Sequence, residues 1–488
     1  MYFFKKQLWT LTSAILVVVF FFNSVDASPI FSQQDPHPIY TPLGIDNFYT
    51  PKIKKMFSLS LTPFYQHTDK ARDKDGFKVP AGDINGQWYV FGMYYGMPAT
   101  VNTRVSSSTA GTTYENMRQS AQSLKTLSST ASTATTYKAA LDSLRWATDL
   151  SNLATWLALT TNTTTINPAV DQFFYLSNPI TYEKIGLRGQ LDTRICNGVG
   201  VRIKGGFADY RQSPGFDKKA LFIADITADT TYKARDIDQN FLTTQTSLKN
   251  QFADLDLSLD AIRKTILEDT FAQVNWHVPF NLKDEKKETV VTVAPYFGLG
   301  MWFPTGNKRC LKQAFSLAGG NDGHYALEGD CALAFDFPDT VQVSIGGGII
   351  YYGSKDVNGL HVPTHSYQSG FFPWKANVRR KPGVTWYGNA SVMAPNFLPG
   401  LSGYFDFVYT QHEKDSITVR SSAFTTSDVT FIPSQLENES EWKSQQYNLG
   451  MDYRITDALT LGAAVQSVLS GRRVYATTTI LGTATLRF

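Results

Sequence analysis

The sequence predicts an all-β fold with helical insertions: a transmembrane, antiparallel, up-and-down β-barrel of about fourteen strands, with two long helical loops. Three observations predict this class. From Tyr182 onward, apolar and polar residues alternate with a period of two in one segment after another. Short connections alternate with long ones, and charged residues keep almost entirely to one side of each alternation. Side chains point alternately to the two faces of a strand, so each segment has one wet face and one apolar face.

The composition argues against several other classes. The chain has 488 residues, 18% of them charged, and a formal net charge of +3, so no basic excess indicates a nucleic-acid partner. Aromatic residues make up 14% of the chain, which is typical of a barrel with aromatic girdles on its outer face. Three cysteines are too few for a disulfide scaffold. Cys310 and Cys331 are candidates for a bond in an exported protein, and the sequence leaves that question open.

The N-terminus has the features of a secretory signal. Lys5 and Lys6 precede an apolar run over 14–22, and Ala27 ends a segment suited to cleavage. The apolar run is too short to span roughly 30 Å of hydrocarbon, which favours cleavage over a retained anchor. We therefore expect three parts: a signal peptide (1–27), an N-terminal segment that could enter the lumen (28–55) and the barrel (56–488).

The strands are most evident at the C-terminal end. Over 473–488 the even positions are mostly apolar, and the odd positions carry mostly Thr and Arg. The same alternation predicts further strands at 459–470, 441–455, 401–413, 384–396, 340–353, 324–336, 289–303, 271–282, 199–211 and 183–195, with weaker ones at 99–107, 84–96 and 56–67.

The connections sort into two kinds. Tight turns rich in Asn, Gly, Pro and Asp are predicted at 196–198, 338–339, 396–400 and 456–458. Long connections are predicted at 212–270, 304–323, 354–383 and 414–440. This alternation is typical of a membrane barrel, which has short turns at one end and long loops at the other.

Two insertions, 112–160 and 236–269, break the period of two. The second carries apolar or uncharged residues spaced alternately by four and three, which predicts a helix with a heptad stripe. Its stripe comprises Phe241, Gln245, Leu248, Phe252, Leu255, Leu259, Ile262 and Ile266. Such a stripe either packs on the chain's own core, which we favour, or binds another protein.

The signal, the amphipathic strands and the terminal run ending in Leu486 and Phe488 together resemble bacterial outer-membrane β-barrel proteins. The resemblance implies a bacterial outer-membrane location, contact with outer-membrane lipid, and recognition of Leu486 and Phe488 as an assembly signal by the outer-membrane assembly machinery. The strand number and the segment 28–55 are also similar to the long-chain fatty acid transporter family.

The inward side of the predicted strands carries the candidate site residues. Its charges include a basic pair, Arg188 and Lys204, and an acidic group, Glu328, Asp330 and Asp406, which we expect to line a pore from facing walls. So many inward charges require water, and a water-filled lumen is what a channel has. Asp192 and Arg202 are expected to pair across a tight turn.

We therefore expect a channel or transporter for small polar solutes, without enzymatic activity, metal or other cofactor. The sequence leaves open whether it acts as a monomer or as a homo-oligomer. His361 and His365 have the spacing of a helical metal pair, but Pro363 lies between them and disfavours the helix. The alternatives are a sealed barrel that displays helical loops for interaction or adhesion and, less favoured, an outer-membrane hydrolase. Ion conduction by the purified protein would distinguish the channel from the interaction protein.

Overall fold

The structure is a computed structural model that describes residues 57–89, 175–196, 198–213, 221–222, 257–338, 340–366, 368–370, 372, 374–422 and 430–488. Its first strands are β1 (Phe57–Thr68), β2 (Lys70–Arg72), β3 (Lys78–Pro80), β4 (Trp88–Tyr89), β5 (Tyr175–Leu176), β6 (Tyr182–Cys196), β7 (Val199–Gln212), β8 (Leu221–Phe222), β9 (Ile262–Leu267), β10 (Thr270–His277), β11 (Phe280–Lys283) and β12 (Thr289–Phe303). The remaining strands are β13 (Ala326–Phe337), β14 (Val341–Tyr352), β15 (Lys355–Val362), β16 (Trp374–Lys381), β17 (Thr385–Leu398), β18 (Leu401–His412), β19 (Ser416–Ser422), β20 (Trp442–Arg454), β21 (Leu459–Arg472), β22 (Val474–Tyr475) and β23 (Thr478–Arg487). A 3-10 turn spans Ala81–Asp83, and the helix α1 spans Pro433–Asn438.

The large antiparallel sheet closes on itself. Its ring runs β1-β6-β7-β10-β12-β13-β14-β17-β18-β20-β21-β23 and returns to β1, which makes twelve positions. The sheet contains fourteen strands because it also includes β9 and β11. These two short strands precede and follow β10 in the sequence and share its position in the wall: β9 pairs with β7, and β11 pairs with β12. Closure pairs the first and last wall strands, β1 and β23, as a barrel in hydrocarbon requires.

Twelve of the predicted strands are therefore confirmed, and the count of about fourteen is wrong. The predicted strand 84–96 falls partly on β4, which pairs with β5 in a separate three-stranded sheet rather than in the barrel. The predicted strand 99–107 lies outside the described residues.

The helical prediction is wrong where the structure describes it. Residues 262–267, the end of the predicted insertion 236–269, form the strand β9 against β7. Ile262 and Ile266 are both buried because a spacing of four places two residues on the same face of a strand as well as of a helix. The insertion 112–160 and residues 236–256 lie outside the described residues. Within the described ranges, no helix is both long and apolar enough to cross a membrane.

The barrel wall has an apolar outer face and a polar inner face. Outward positions expose large apolar side chains to the surroundings. They include Leu61, Ile185, Ile203, Phe207, Val274, Phe297, Leu299, Leu327, Ile349, Phe405, Leu449, Val465 and Ile480. The inward positions of the same strands are mostly polar or small, as the alternation predicts. A charged side chain on the lipid side near the midplane costs about 2–4 kcal/mol for Arg or Lys, which accounts for the sorting.

The two ends of the barrel differ. One end has short turns, and Gly198 and Gly400 adopt positive φ values of 81° and 77° there, which glycine accommodates without strain. The other end carries the long connections, and with them the small sheets β15-β16-β19 and β2-β3-β22. At this end, β15, β16, β19 and α1 share an apolar core, and we call this unit the external cap. Its buried members are Leu360, Val362, Phe372, Ala376, Val378, Ile417 and Leu436.

The seam of the barrel joins β1 to β23, the first and last wall strands. Ser58 to His67 pair with Arg487 to Thr478, and beyond them Phe57 and Phe488 exchange two backbone hydrogen bonds of 3.0 Å. The two rings also stack, with centroids 6.0 Å apart. The terminal residue thus completes the seam at the end of the short turns.

Deleting Phe488 should lower the amount of folded protein in the outer membrane several-fold, because it removes both terminal hydrogen bonds and the ring contact from the seam. Folded protein is measured in membrane fractions as the band whose gel mobility changes on heating. The matched control is Phe397→Ala, which removes an exposed aromatic ring beside another short turn without touching the seam. Equal folded levels for the two variants would contradict a closing role for Phe488.

Candidate pore and its lining residues

The predicted lining residues all lie on inward positions of the wall. Arg188, Glu328, Asp330 and Asp406 are at most 9% exposed, and Lys204 is half-buried. Outward neighbours such as Leu187 and Ile203 lie on the opposite face. Charges that are this well buried must be paired or hydrogen-bonded, since an isolated buried ion is very costly.

Arg188 is clamped by a carboxylate that the sequence did not suggest. Its Nε and Nη2 atoms donate to Glu268 Oε2 and Oε1 at 2.8 and 2.9 Å, and Lys184 Nζ lies 3.9 Å from the same carboxylate. The guanidinium also lies 3.7 Å from the centre of the Phe64 ring. Bidentate pairs of this kind combine charge with fixed geometry. Glu268 was hidden within the insertion predicted to be helical.

Lys204 belongs to an aromatic cluster that leads to Glu328. Its ammonium lies 4.5 Å from the ring centre of Phe271 and 4.8 Å from that of Trp302. Trp302 Nε1 donates to Glu328 Oε2 at 2.6 Å, and the hydroxyl of Tyr387 donates to Glu328 Oε1 at 2.8 Å. Sequence reasoning missed the three aromatic residues, although each occupies an inward position of a predicted strand.

Glycine makes room for this cluster. A Cβ atom added at Gly348 would lie 2.6 Å from the hydroxyl of Tyr387. The glycine run 346–348 lies inside β14, and the missing Cβ atom at Gly348 lets the Tyr387 ring approach the strand closely.

A second chain of polar contacts lies nearer the short turns. Asp192 and Arg202 face each other across the turn, as predicted, and Arg202 Nε donates to Asp192 Oδ1 at 2.7 Å. Asp330 accepts a hydrogen bond of 2.7 Å from Gln273 Nε2. The hydroxyl of Tyr296 donates to Gln273 Oε1 at 2.9 Å. These contacts involve five neighbouring strands of one half of the wall, β6, β7, β10, β12 and β13.

The basic and acidic residues do not all lie on facing walls. In the ring, only β10 and β12 separate Lys204 on β7 from Glu328 and Asp330 on β13, so these three belong to one half of the wall. Asp406, on β18, lies in the other half, where it accepts hydrogen bonds from the side chains of Ser391 and Asn448.

A third network joins the barrel to the external cap. Thr385 Oγ1 lies 2.6 Å from His412 Nδ1, and His412 Nε2 lies 3.1 Å from Asp415 Oδ1. Arg380, on β16, donates from Nε to Asp415 Oδ2 at 2.8 Å and from Nη1 to Asp322 at 3.2 Å. The order hydroxyl–imidazole–carboxylate is also that of hydrolase triads. Thr385, however, is 1% exposed, so its hydroxyl holds structural elements together rather than facing a substrate.

The charge state of Asp415 depends on this network. Burial acts to raise the pKa of Asp415, but Arg380 and the hydrogen bond from His412 outweigh it and hold the pKa at about 2. The ionised carboxylate therefore stabilises the junction between barrel and cap.

The sequence also raised a disulfide between Cys310 and Cys331 and a metal pair at His361 and His365. Cys310 and Cys331 are both free thiols in this structure. His361 lies in β15, and its Nδ1 atom is 2.7 Å from the carbonyl oxygen of Phe372, so β-structure replaces the helix that a metal pair would need.

This chain has structural neighbours among known proteins. No protein-family model matches it, and no curated protein matches it in sequence. Among solved structures it is similar to an outer membrane channel from Pseudomonas putida F1, with 11% identity, a TM-score of 0.42, and 89% of this chain and 97% of that chain covered. It is also similar to a FadL homologue of Pseudomonas aeruginosa, with 9% identity, a TM-score of 0.25, and 89% and 90% covered. It is also similar to the outer membrane protein OprD of Pseudomonas aeruginosa, with 9% identity, a TM-score of 0.22, and 64% of this chain and 78% of that chain covered.

The class of the protein follows from its own structure. A closed antiparallel barrel with an apolar outer face and a polar interior is a transmembrane barrel. The chain is a bacterial outer-membrane β-barrel.

Asp415→Asn should loosen the junction between the barrel and the cap by about 2 kcal/mol at neutral pH, since each unit of pKa shift is worth about 1.4 kcal/mol. The folded-state pKa lies below its ordinary value of 3.8, so the contribution is complete above about pH 4 and is lost as the pH falls toward 2. Hydrogen exchange of the β16 and β19 amides measures the loosening in the wild type and the variant.

The control for this variant is Asp356→Asn, which removes an exposed carboxylate from β15. The control should exchange like the wild type at every pH. Identical exchange in Asp415→Asn and the wild type at neutral pH would show that the carboxylate does not hold the cap.

Proposed function

We propose that this protein is an outer-membrane channel that passes small polar solutes through its lumen by diffusion. One observation carries the proposal: within a closed barrel, the same strands place polar and charged side chains inward and apolar side chains outward. A polar interior can hold the water that a diffusing polar solute needs. Its surroundings would be outer-membrane lipid, and Leu486 and Phe488 would serve as the signal for the assembly machinery.

Side-chain contacts would make the path narrow and set its selectivity. The inward charges are arranged as adjacent opposites, such as Arg188 with Glu268 and Arg202 with Asp192. Adjacent opposite charges cancel at a distance, so we expect a weak overall preference between cations and anions. Lys204, Glu328, Asp330 and Asp406 would then be the groups that a permeating solute meets.

An external interaction function is the second candidate. The observation that favours it is the folded cap, in which β15, β16, β19 and α1 surround one apolar core. A folded platform above a barrel can present a surface to other molecules. Planar-bilayer recording of the purified protein decides between the two: stepwise ion conductance supports the channel, and its absence favours the interaction protein.

Lys204→Gln should shift the selectivity of the conductance toward cations, because the carboxylates of Glu328 and Asp330 lose a nearby positive charge. The measurement is the reversal potential across a salt gradient. The shift should shrink as the salt approaches 1 M, where the screening length is about 3 Å. Arg188 is left intact, because its removal would leave Glu268 buried without its main partner.

Lys283→Gln is the matched control. It removes the same charge from an exposed position on β11, near a short turn. An unchanged reversal potential in Lys204→Gln would show that Lys204 does not face the conduction path.

A further inference from the structure

A series of contacts connects opposite sides of the barrel at the end of the long connections. It begins on β6 and β7 and ends on β17 and β18. In the ring of wall strands, six steps separate β7 from β18 in either direction, and six also separate β6 from β17. These two pairs of strands lie on opposite sides of the lumen, so contacts that join them directly pass over its mouth. We call the residues Tyr182, Tyr210, Phe315, Trp88 and Gly370 the mouth layer.

Phe315 forms the part of the mouth layer nearest to β6 and β7. It lies on the long connection between β12 and β13, and its carbonyl oxygen accepts hydrogen bonds from the hydroxyls of Tyr182 and Tyr210 at 3.0 and 3.4 Å. Both tyrosines occupy inward positions of the wall and are at most 5% exposed. The connection is also tied to the backbone before β9, because Ala314 N donates to Ser258 O at 3.1 Å. Phe315 is thus held from the β6–β7 side.

The indole of Trp88 forms the centre of the mouth layer. Its ring stacks on the Phe315 ring, with centroids 5.0 Å apart and an interplanar angle of 15°. The indole also packs on the backbone of Gly370, where an added Cβ atom would overlap the ring. Beside this contact, Ser369 Oγ donates to the carbonyl oxygen of Gln87 at 3.2 Å. Trp88 is 5% exposed, so these neighbours enclose it.

The external cap carries the mouth layer to the opposite wall. Gly370 lies on the connection between β15 and β16, and only three residues separate β16 from β17. Asp415 accepts a hydrogen bond from Arg380 on β16, and it lies 3.1 Å from His412 at the end of β18. The contacts that start on β6 and β7 therefore end on the strands that face them.

The two sides of the contact between Trp88 and Gly370 are anchored separately. The segment that precedes Trp88 is held near the start of β6, where Gly82 N donates to Asn178 O at 3.0 Å and Asn178 N donates to Asp83 Oδ1 at 2.8 Å. Gly370 belongs to the cap and is held from β17 and β18. A movement of the cap relative to the β6 side would therefore act on this contact.

We propose that the mouth layer is the closed gate of the channel and that it opens where Trp88 meets Gly370. This inference deepens the channel function proposed above and rests on it. An aromatic ring that closes a polar path excludes water, and apolar constrictions gate pores by dewetting. The wild type spends a small fraction of the time open, because the closed arrangement is the more stable of the two.

The first test is planar-bilayer recording of Gly370→Ala. Its added methyl group collides with the indole of Trp88 in the closed layer, so the open fraction should rise about tenfold, which corresponds to about 1.4 kcal/mol. The matched control is Gly359→Ala in β15. Gly359 and Gly370 share a φ of 73°, but a Cβ atom at Gly359 would meet no other atom within 4 Å. Equal conductance and equal open fractions in the wild type and both variants would overturn the gate and leave the channel intact.

The second test locks the layer. Gln87→Cys and Ser369→Cys are combined in a protein without Cys196, Cys310 and Cys331, and a bifunctional methanethiosulfonate reagent bridges the two new thiols. The bridge should abolish the openings, and its reduction should restore them. Each single-cysteine variant treated with the same reagent should conduct as before. A bridged protein that conducts like the unbridged one would overturn the gate.

Thiol labelling in detergent separates the gate from the channel. Thr410→Cys places a thiol on the inward face of β18, one inward position below His412, where the native side chain is buried. A charged, water-soluble reagent should modify this thiol about tenfold faster beside Gly370→Ala than beside Gly359→Ala, because an open layer is populated more often. Heat-modifiable gel mobility confirms that each variant is folded before it is measured.

The labelling result is decisive when no variant conducts. If the thiol then reacts faster beside Gly370→Ala, the channel function fails, and the mouth layer stands as a movable cover of the lumen. If no variant conducts and the two labelling rates are equal, the gate fails together with the channel.

Discussion

The structure depends on one constraint: a backbone in hydrocarbon must satisfy all its own hydrogen bonds. A sheet meets this requirement only when it closes, and here closure occurs where β1 meets β23 and Phe57 exchanges hydrogen bonds with Phe488. The order of the twelve strands around the ring then determines which inward side chains become neighbours. The apolar outer belt and the polar lumen are consequences of the same closure, because alternate side chains along every strand point to opposite faces.

The interior meets a second requirement, which is to neutralise charge in a narrow space. Arg188 and Arg202 each contact a carboxylate directly, and Lys204 lies over two aromatic rings. This pairing occupies one half of the wall. The other half carries mostly hydroxyls and amides, with few charges. The two halves thus differ in charge: one is built on ion pairs and a cation over aromatic rings, the other on amides and hydroxyls.

Much of the fold could be predicted from the sequence because the period of two is a local signal. It located the twelve barrel strands, the tight turns and the pair Asp192–Arg202. It failed where patterns were ambiguous: Ile262 and Ile266 are spaced by four, which suits a helix or a strand, and Trp88–Tyr89 pairs outside the barrel. The contacts of Glu268 with Arg188 and of Tyr387 with Glu328 were missed because strand order and register determine which inward residues meet. The spacing of residues along a single strand specifies neither the order nor the register.

The central claim is that one face of each strand lines an aqueous path and the other faces lipid. It is tested most directly by comparing neighbouring cysteines on β17 in a background without native cysteines: Ser391→Cys, inward and half-buried, and Val392→Cys, outward and 46% exposed. A charged, water-soluble thiol reagent is applied during planar-bilayer recording. The account predicts that modification at position 391 reduces the conductance and that position 392 does not react. Reaction at 392 together with an unreactive 391 would contradict it.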